Sequence, residues 1–166
     1  MEITIDIGDL GKALKDIEAY KEQFKASVTE TVKQATEIGK AEAEMRFAIA
    51  KYDGTNDVQV KSTVQKKTGT VTASGKSVLF IEFGTGVYYG GGHPEGNTFG
   101  YFPGSYGPNG LKDYWFYKGE PGTNGVPSTK RPGSIITHGN PANKCMYDAA
   151  KEVERSVGKI AREVFK

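Results

Sequence analysis

The sequence predicts an α+β domain: an antiparallel β-sheet packed by a long N-terminal helix and a C-terminal helix, with a long glycine- and aromatic-rich loop. Three observations carry this. Apolar residues recur every three or four positions from Leu10 to Tyr52 and again after Asn140, the spacing of one helix face. Short runs between Asp57 and Phe83 alternate or are nearly all apolar and are separated by tight turn signals. From Gly84 to Gly139 periodicity disappears and glycine, proline and aromatic residues take over.

In chain order, Glu2–Ile7 alternates, with Ile3, Ile5 and Ile7 on one face, and reads as a short strand. Asp9 is a candidate N-cap. The following stripe runs through positions 10, 14, 17, 21, 24, 28, 31, 35, 38, 42, 45, 49 and 52, broken by Lys21, Thr31 and Glu42. Its 3.5-residue period suits packing against another long helix. One unbroken helix of that length would span roughly 64 Å, so either a break near Lys21 or a helix projecting from the sheet is expected. Gly39 is a weak point within it. Asp57–Lys67 and Thr70–Ala73 read as paired strands, and Ser77–Phe83 as a third, central one, making a meander. In that strand Phe83 is expected in the core, and Glu82, on the opposite face, is expected to have a local polar partner.

The 56 residues from Gly84 to Gly139 hold 15 of the 22 glycines, six of the seven prolines and ten aromatics. Disordered segments are poor in aromatics, so an ordered loop is predicted, with a short strand or hairpin near Asp113–Lys118. Asn140 and Pro141 read as N-cap and first residue of the last helix. Its apolar stripe is Ala142, Cys145 or Met146, Ala149, Val153, Val157, Ile160 and Val164. The whole, residues 1–166, is read as a single domain with an extended insertion at 84–139.

Composition excludes several classes. With 22 basic and 20 acidic residues, the net charge of +2 gives no argument for nucleic acid or an anionic membrane. No apolar run approaches ~18 residues, and the first residues lack the pattern of a secretion signal. A single cysteine permits no internal disulfide.

Candidate chemistry is sparse. His93, His138 and Cys145 do not have metal-ligand spacing. Cys145 at a helix start, with His138 as base, would suit a cysteine hydrolase, but no orienting third group accompanies them, and a buried thiol on the helix stripe is the preferred reading. Gly84-Thr85-Gly86 with Gly90–Gly92 fails the phosphate-loop spacing. The loop's aromatics could stack on sugars or single-stranded bases, but its four basic residues face three acidic ones. Protein–protein contact suits such a surface as well. No cofactor, no metal and no catalytic residue is therefore expected, and Tyr88, Tyr89, Tyr101, Phe102 and Trp115 are the candidate contact residues.

Two segments carry a resemblance. Ile81-Glu82-Phe83-Gly84-Thr85 and Pro141-Ala142-Asn143 followed by Met146-Tyr147-Asp148-Ala149-Ala150 stand in the same order as an E-F-G-T element and a P-A-x-P-F-M-Y/R-x-A helix start. The chain resembles the minor tail component (phage morphogenesis) family of long-tailed bacteriophages, whose members sit at the head–tail junction. It departs from the pattern at Lys144 and Cys145, where proline and phenylalanine are usual. The resemblance marks Glu82, Phe83, Gly84, Pro141 and Met146 as structural motif residues. It implies a non-enzymatic neck or tail-completion protein, made in the host cytoplasm and resident in the virion. It implies a ring, sixfold by analogy with tail symmetry, between the capsid connector or head-closure protein and the tail tube or its terminator. DNA would pass through without sequence-specific binding, and no membrane is involved. A tail-terminator or another minor tail protein is the alternative of the same class.

Overall fold

A computed structural model describes residues 10–86, 92–101, 114–123 and 125–166. The expected strand at Glu2–Ile7, the cap at Asp9, and the contact candidates Tyr88, Tyr89 and Phe102 lie outside the described residues.

The chain is α+β. Helix α1 spans Leu10–Ala48, β1 Gln59–Gln65, β2 Thr68–Ser74, α2 Val78–Phe83, β3 Trp115–Tyr117, β4 Val126–Pro127, β5 Ile135–Thr137 and α3 Cys145–Val164. α1 is unbroken across Lys21 and its 39 residues extend about 58 Å. It runs antiparallel to α3: Arg46 Nη1 lies 3.3 Å from Asp148 Oδ2, and at the other end Phe24 packs edge-on against Phe165, centroids 5.3 Å apart.

Small residues set the closeness of this packing. Ala35, Gly39 and Ala43 of α1 and Ala149 of α3 are buried. A Cβ added at Gly39 would stand 3.0 Å from Val153 Cγ2, so the expected weak point is a close helix–helix contact, where an added methyl would require Val153 to shift by a few tenths of an ångström. The buried face does not follow the 3.5-residue stripe to its end. It runs through Ala35, Thr36, Gly39, Ala43 and Phe47, while Met45 and Ile49 of the stripe are exposed. A straight helix drifts ~20° per heptad against a 3.5 repeat, and α3 meets the face that the true helical period presents.

β1 and β2 form a hairpin, paired from Gln59↔Ser74 to Gln65↔Thr68. Val60, Ser62, Val71 and Ala73 turn toward α1, and their neighbours face solvent. The hairpin is drawn tight where Gly69 passes Thr36.

Ser77–Phe83 is not the predicted central strand. It turns into α2, with the Ile81 N–H donating to the Ser77 carbonyl at 2.9 Å and the Gly84 N–H to that of Phe80 at 3.1 Å. A short apolar run fits a buried helix turn as well as a strand. Here a carboxylate 20 residues away decides the matter. Asp57 accepts from the Lys76 N–H, the Ser77 N–H and the Ser77 hydroxyl, supplying partners at the helix start that α2 cannot make for itself. The meander is therefore a two-stranded hairpin, and Phe83 is half-buried rather than in the core.

The last helix also starts later than predicted. Asn140 pairs with Thr85 in a β-bridge, Pro141–Asn143 are not helical, and α3 begins at Cys145. The core beneath these segments is Phe47, Ile81 and Cys145, ringed by Tyr52, Val58, Val78 and Met146.

The described part of 84–139 contains the expected strand at 115–117 and two more, forming an antiparallel sheet in the order β3-β5-β4. It is stapled to the end of α1. The Thr137 hydroxyl donates to Asp53 Oδ2 at 2.7 Å, and the Thr123 N–H donates to the Tyr52 carbonyl at 3.0 Å. Among the described residues no helix is long and apolar enough to cross a membrane.

Candidate functional site

The two motif segments meet in one joint. The C-terminal carbonyls of α2 need partners, and the chain entering α3 provides them. The Asn143 N–H donates to the Ile81 carbonyl at 2.9 Å and the Lys144 N–H to that of Glu82 at 3.1 Å. The Glu82 side chain then reaches the other way, to the start of α3. Its Oε2 accepts from the Met146 N–H at 2.8 Å and its Oε1 from the Tyr147 N–H at 3.0 Å. A carboxylate at a helix N-terminus also meets the positive end of the helix dipole. Glu82 thus has the polar partners expected of it, two of them from the other motif.

His93 is the third. Its Nδ1 accepts from the Glu95 N–H at 3.1 Å, so the proton sits on Nε2, which donates to Glu82 Oε1 across 3.2 Å. Both side chains are almost wholly buried. The imidazole is clamped between Phe83 and the edge of Tyr147, at centroid distances of 4.3 and 5.4 Å.

Several residues of the two segments have definite backbone roles. A Cβ at Gly84 would lie 2.6 Å from the Ala142 nitrogen, and its φ of +76° is left-handed, so glycine is required where the segments cross. Asn143 ties the joint to the end of α1, its Oδ1 accepting from the Lys51 N–H at 2.8 Å and its Nδ2 donating to the Lys51 carbonyl at 2.9 Å. Lys144 has φ 55° and ψ 35°. Proline, usual there in the pattern the chain resembles, could adopt neither that φ nor the N–H bond to Glu82. Pro141 is a lead-in residue, not the first of the helix, and Met146 supplies an N–H as well as packing against the core.

Cys145 is fully buried, and its thiol is pushed up to about 12, first by burial and then by the Glu82 charge. Desolvation overrides the helix start, so the thiol holds its proton. His138 is exposed, so the two do not share an open site. Among the described residues no three His, Cys, Asp or Glu side chains gather to hold a metal ion.

Beside the joint lies a groove of ≈ 670 Å³ between α2 and α3, with Glu82 and His93 at its inner wall and Leu79, Phe83, Phe99 and Tyr147 among its apolar lining. Of the predicted contact aromatics, Tyr101 is half-buried, stacked on Phe83 at 4.2 Å and 11°. Trp115 is also half-buried, its ring against Gly86. Sequence reasoning missed His93 as a partner of Glu82 and Asp57 as the cap of α2. The one available signal was a charged residue inside an apolar run at Glu82.

Comparison with known proteins finds no family model that fits the chain, and no characterised protein or solved structure that matches it.

Proposed function

We propose that this chain is a structural protein of the neck of a long-tailed bacteriophage, completing the head–tail joint as a ring through which DNA passes. The observation that carries the reading is the shape of the subunit. α3 ends against Phe24, and α1 continues past it with Leu10, Leu14, Ile17 and Tyr20 more than half exposed. A soluble monomer rarely leaves such a continuous apolar face uncovered; a subunit of an assembly has neighbours to cover it. The resemblance supplies the level of assembly. The segments that carry it, Glu82–Thr85 and Pro141–Ala150, make a single joint in the fold, so they behave as one structural unit. The near balance of charge suits a channel along which DNA slides, since each phosphate neutralised by Lys or Arg adds salt-dependent affinity.

The chain acts in this reading by contact, without catalysis or cofactor. Its partners are copies of itself, the head-closure protein and the tail tube or its terminator, and its place is the virion after synthesis in the host cytoplasm. Tyr88, Tyr89, Tyr101, Phe102 and Trp115 lie in the insertion that contributes to these contacts. The test is genetic. A nonsense mutation in this reading frame should give filled heads and finished tails that fail to join, and adding purified protein should restore infectious particles. Normal particle yield without the protein refutes the proposal.

A further inference from the structure

The overhang of α1 and the groove beside the joint are two apolar surfaces that the fold leaves open among its described residues, and they sit at opposite ends of the molecule. The groove is at the level where Asp148 meets Arg46. The overhang begins where Phe24 meets Phe165. From Ile17 to Arg46 along α1 is about 44 Å. A chain cannot fold its own overhang into its own groove across that distance.

We propose that the apolar face of α1 over residues 10–24 docks into the groove between α2 and α3 of a second copy of this chain, head to tail. This rests on the assembly reading above and names its contact. The anchors follow helix-in-groove spacing, with Leu10, Leu14, Ile17 and Phe24 on one face. Leu10, Leu14, Ile17, Tyr20 and Phe24 are 60, 55, 63, 68 and 48% exposed. Together they offer roughly 600 Å² of side-chain surface, most of the ~800 Å² that each partner gives to a standard interface. The groove presents apolar side chains to match, with Leu79 and Phe99 themselves 47 and 59% exposed.

Charge agrees. Lys21 is the one charge on this face between residues 10 and 24 of the stripe, and it makes no ion pair within the described residues. The groove rim carries Glu95, Glu154 and Lys151, the last two paired at 2.9 Å, which leaves Glu95 as the acid to receive it. Because the two surfaces differ, each subunit uses one on its predecessor and the other on its successor. That is a heterologous contact, which closes into a ring when the rotation permits. Pairing of two overhangs with each other would instead end at a twofold dimer.

The test uses disulfide trapping, for which Cys145 gives no background because it is fully buried. Ile17→Cys and Leu79→Cys are made separately in the full chain, both at exposed positions, mixed, and oxidised with copper phenanthroline. The expected product is the mixed dimer, in excess over either homodimer by about tenfold, and the double variant should give a ladder of higher species. Lys21→Glu should reduce the trapping, and Glu95→Lys should restore it. Predominance of the Ile17→Cys homodimer overturns the proposal in favour of helix pairing, and absence of any crosslink overturns it outright. Failure here with ring density still present at the phage neck would remove this contact alone. Efficient trapping by a protein that never joins particles would instead remove the neck reading.

Discussion

Replacing Glu82 should loosen the joint between the two helices and lower stability measurably. Glu82→Ala leaves the Met146 N–H, the Tyr147 N–H and His93 Nε2–H without their acceptor. Hydrogen bonds to a charged group are worth about 1.5–3 kcal/mol each, and an orphaned buried donor costs about 1–3 kcal/mol. Two effects offset this. Removing a buried carboxylate relieves its desolvation, and the groove admits water to the vacated space. The balance is a loss of about 2–4 kcal/mol. Glu82→Gln keeps the shape but turns one donor toward another and removes the helix-dipole term, so about 1–3 kcal/mol should be lost. Urea denaturation followed by circular dichroism reads these differences as shifts in midpoint at constant slope. A Glu82→Ala midpoint corresponding to less than about 0.5 kcal/mol, the range of an ordinary surface change, refutes the joint.

Asp57 is held at about 2, well below the ordinary carboxylate range, first by the Ser77 hydroxyl and then by backbone N–H groups. A depressed value means its contribution is present above the unfolded-state pKa and is lost as pH falls from about 4 through about 2, so Asp57→Asn should melt lower than wild type at pH 6 and lose less between pH 5 and 2. Parallel melting curves for the two proteins across that range contradict the assignment. Lys144 sits in the left-handed region, so Lys144→Gly should stabilise by about 0.5–1 kcal/mol and Lys144→Pro should cost about 3 kcal/mol or more; the reverse order in thermal melts would exclude the observed backbone. Phe83→Ala, at a half-buried position, should cost about 2 kcal/mol rather than the ~3–5 of a core phenylalanine, and a full core-sized loss in denaturant titration would return it to the interior.

Periodicity made both long helices and the hairpin legible, because apolar spacing records the type of element, although in α1 the buried face runs through Ala35, Thr36, Gly39, Ala43 and Phe47 rather than along the predicted stripe. It did not show that α1 would overhang its partner, since a stripe says that a face is apolar but not what covers it. α2 was misread as a strand because Val78–Phe83 has no alternation to separate the two states, and its decisive cap, Asp57, is distant in sequence. The start of α3 was misplaced for the same kind of reason. Asn140 has the residue type of a cap, but its side chain accepts from the Asp53 N–H and donates to Thr85 Oγ1, and tertiary partners outweighed local preference. Glu82 was readable as a residue needing a partner because charge in an apolar run is costly. His93 was not, because nothing in the spacing of a lone histidine tells which buried acceptor it will meet.

Reconstruction of the phage neck with this protein carrying a small tag at an exposed position of α3, such as Lys159, tests the central claim most directly. The account predicts tag density repeated around the DNA channel at the head–tail junction, sixfold, with each subunit contacting its neighbours through two different faces. A stable twofold dimer persisting in the particle, or tag density absent from the head–tail junction, would contradict it.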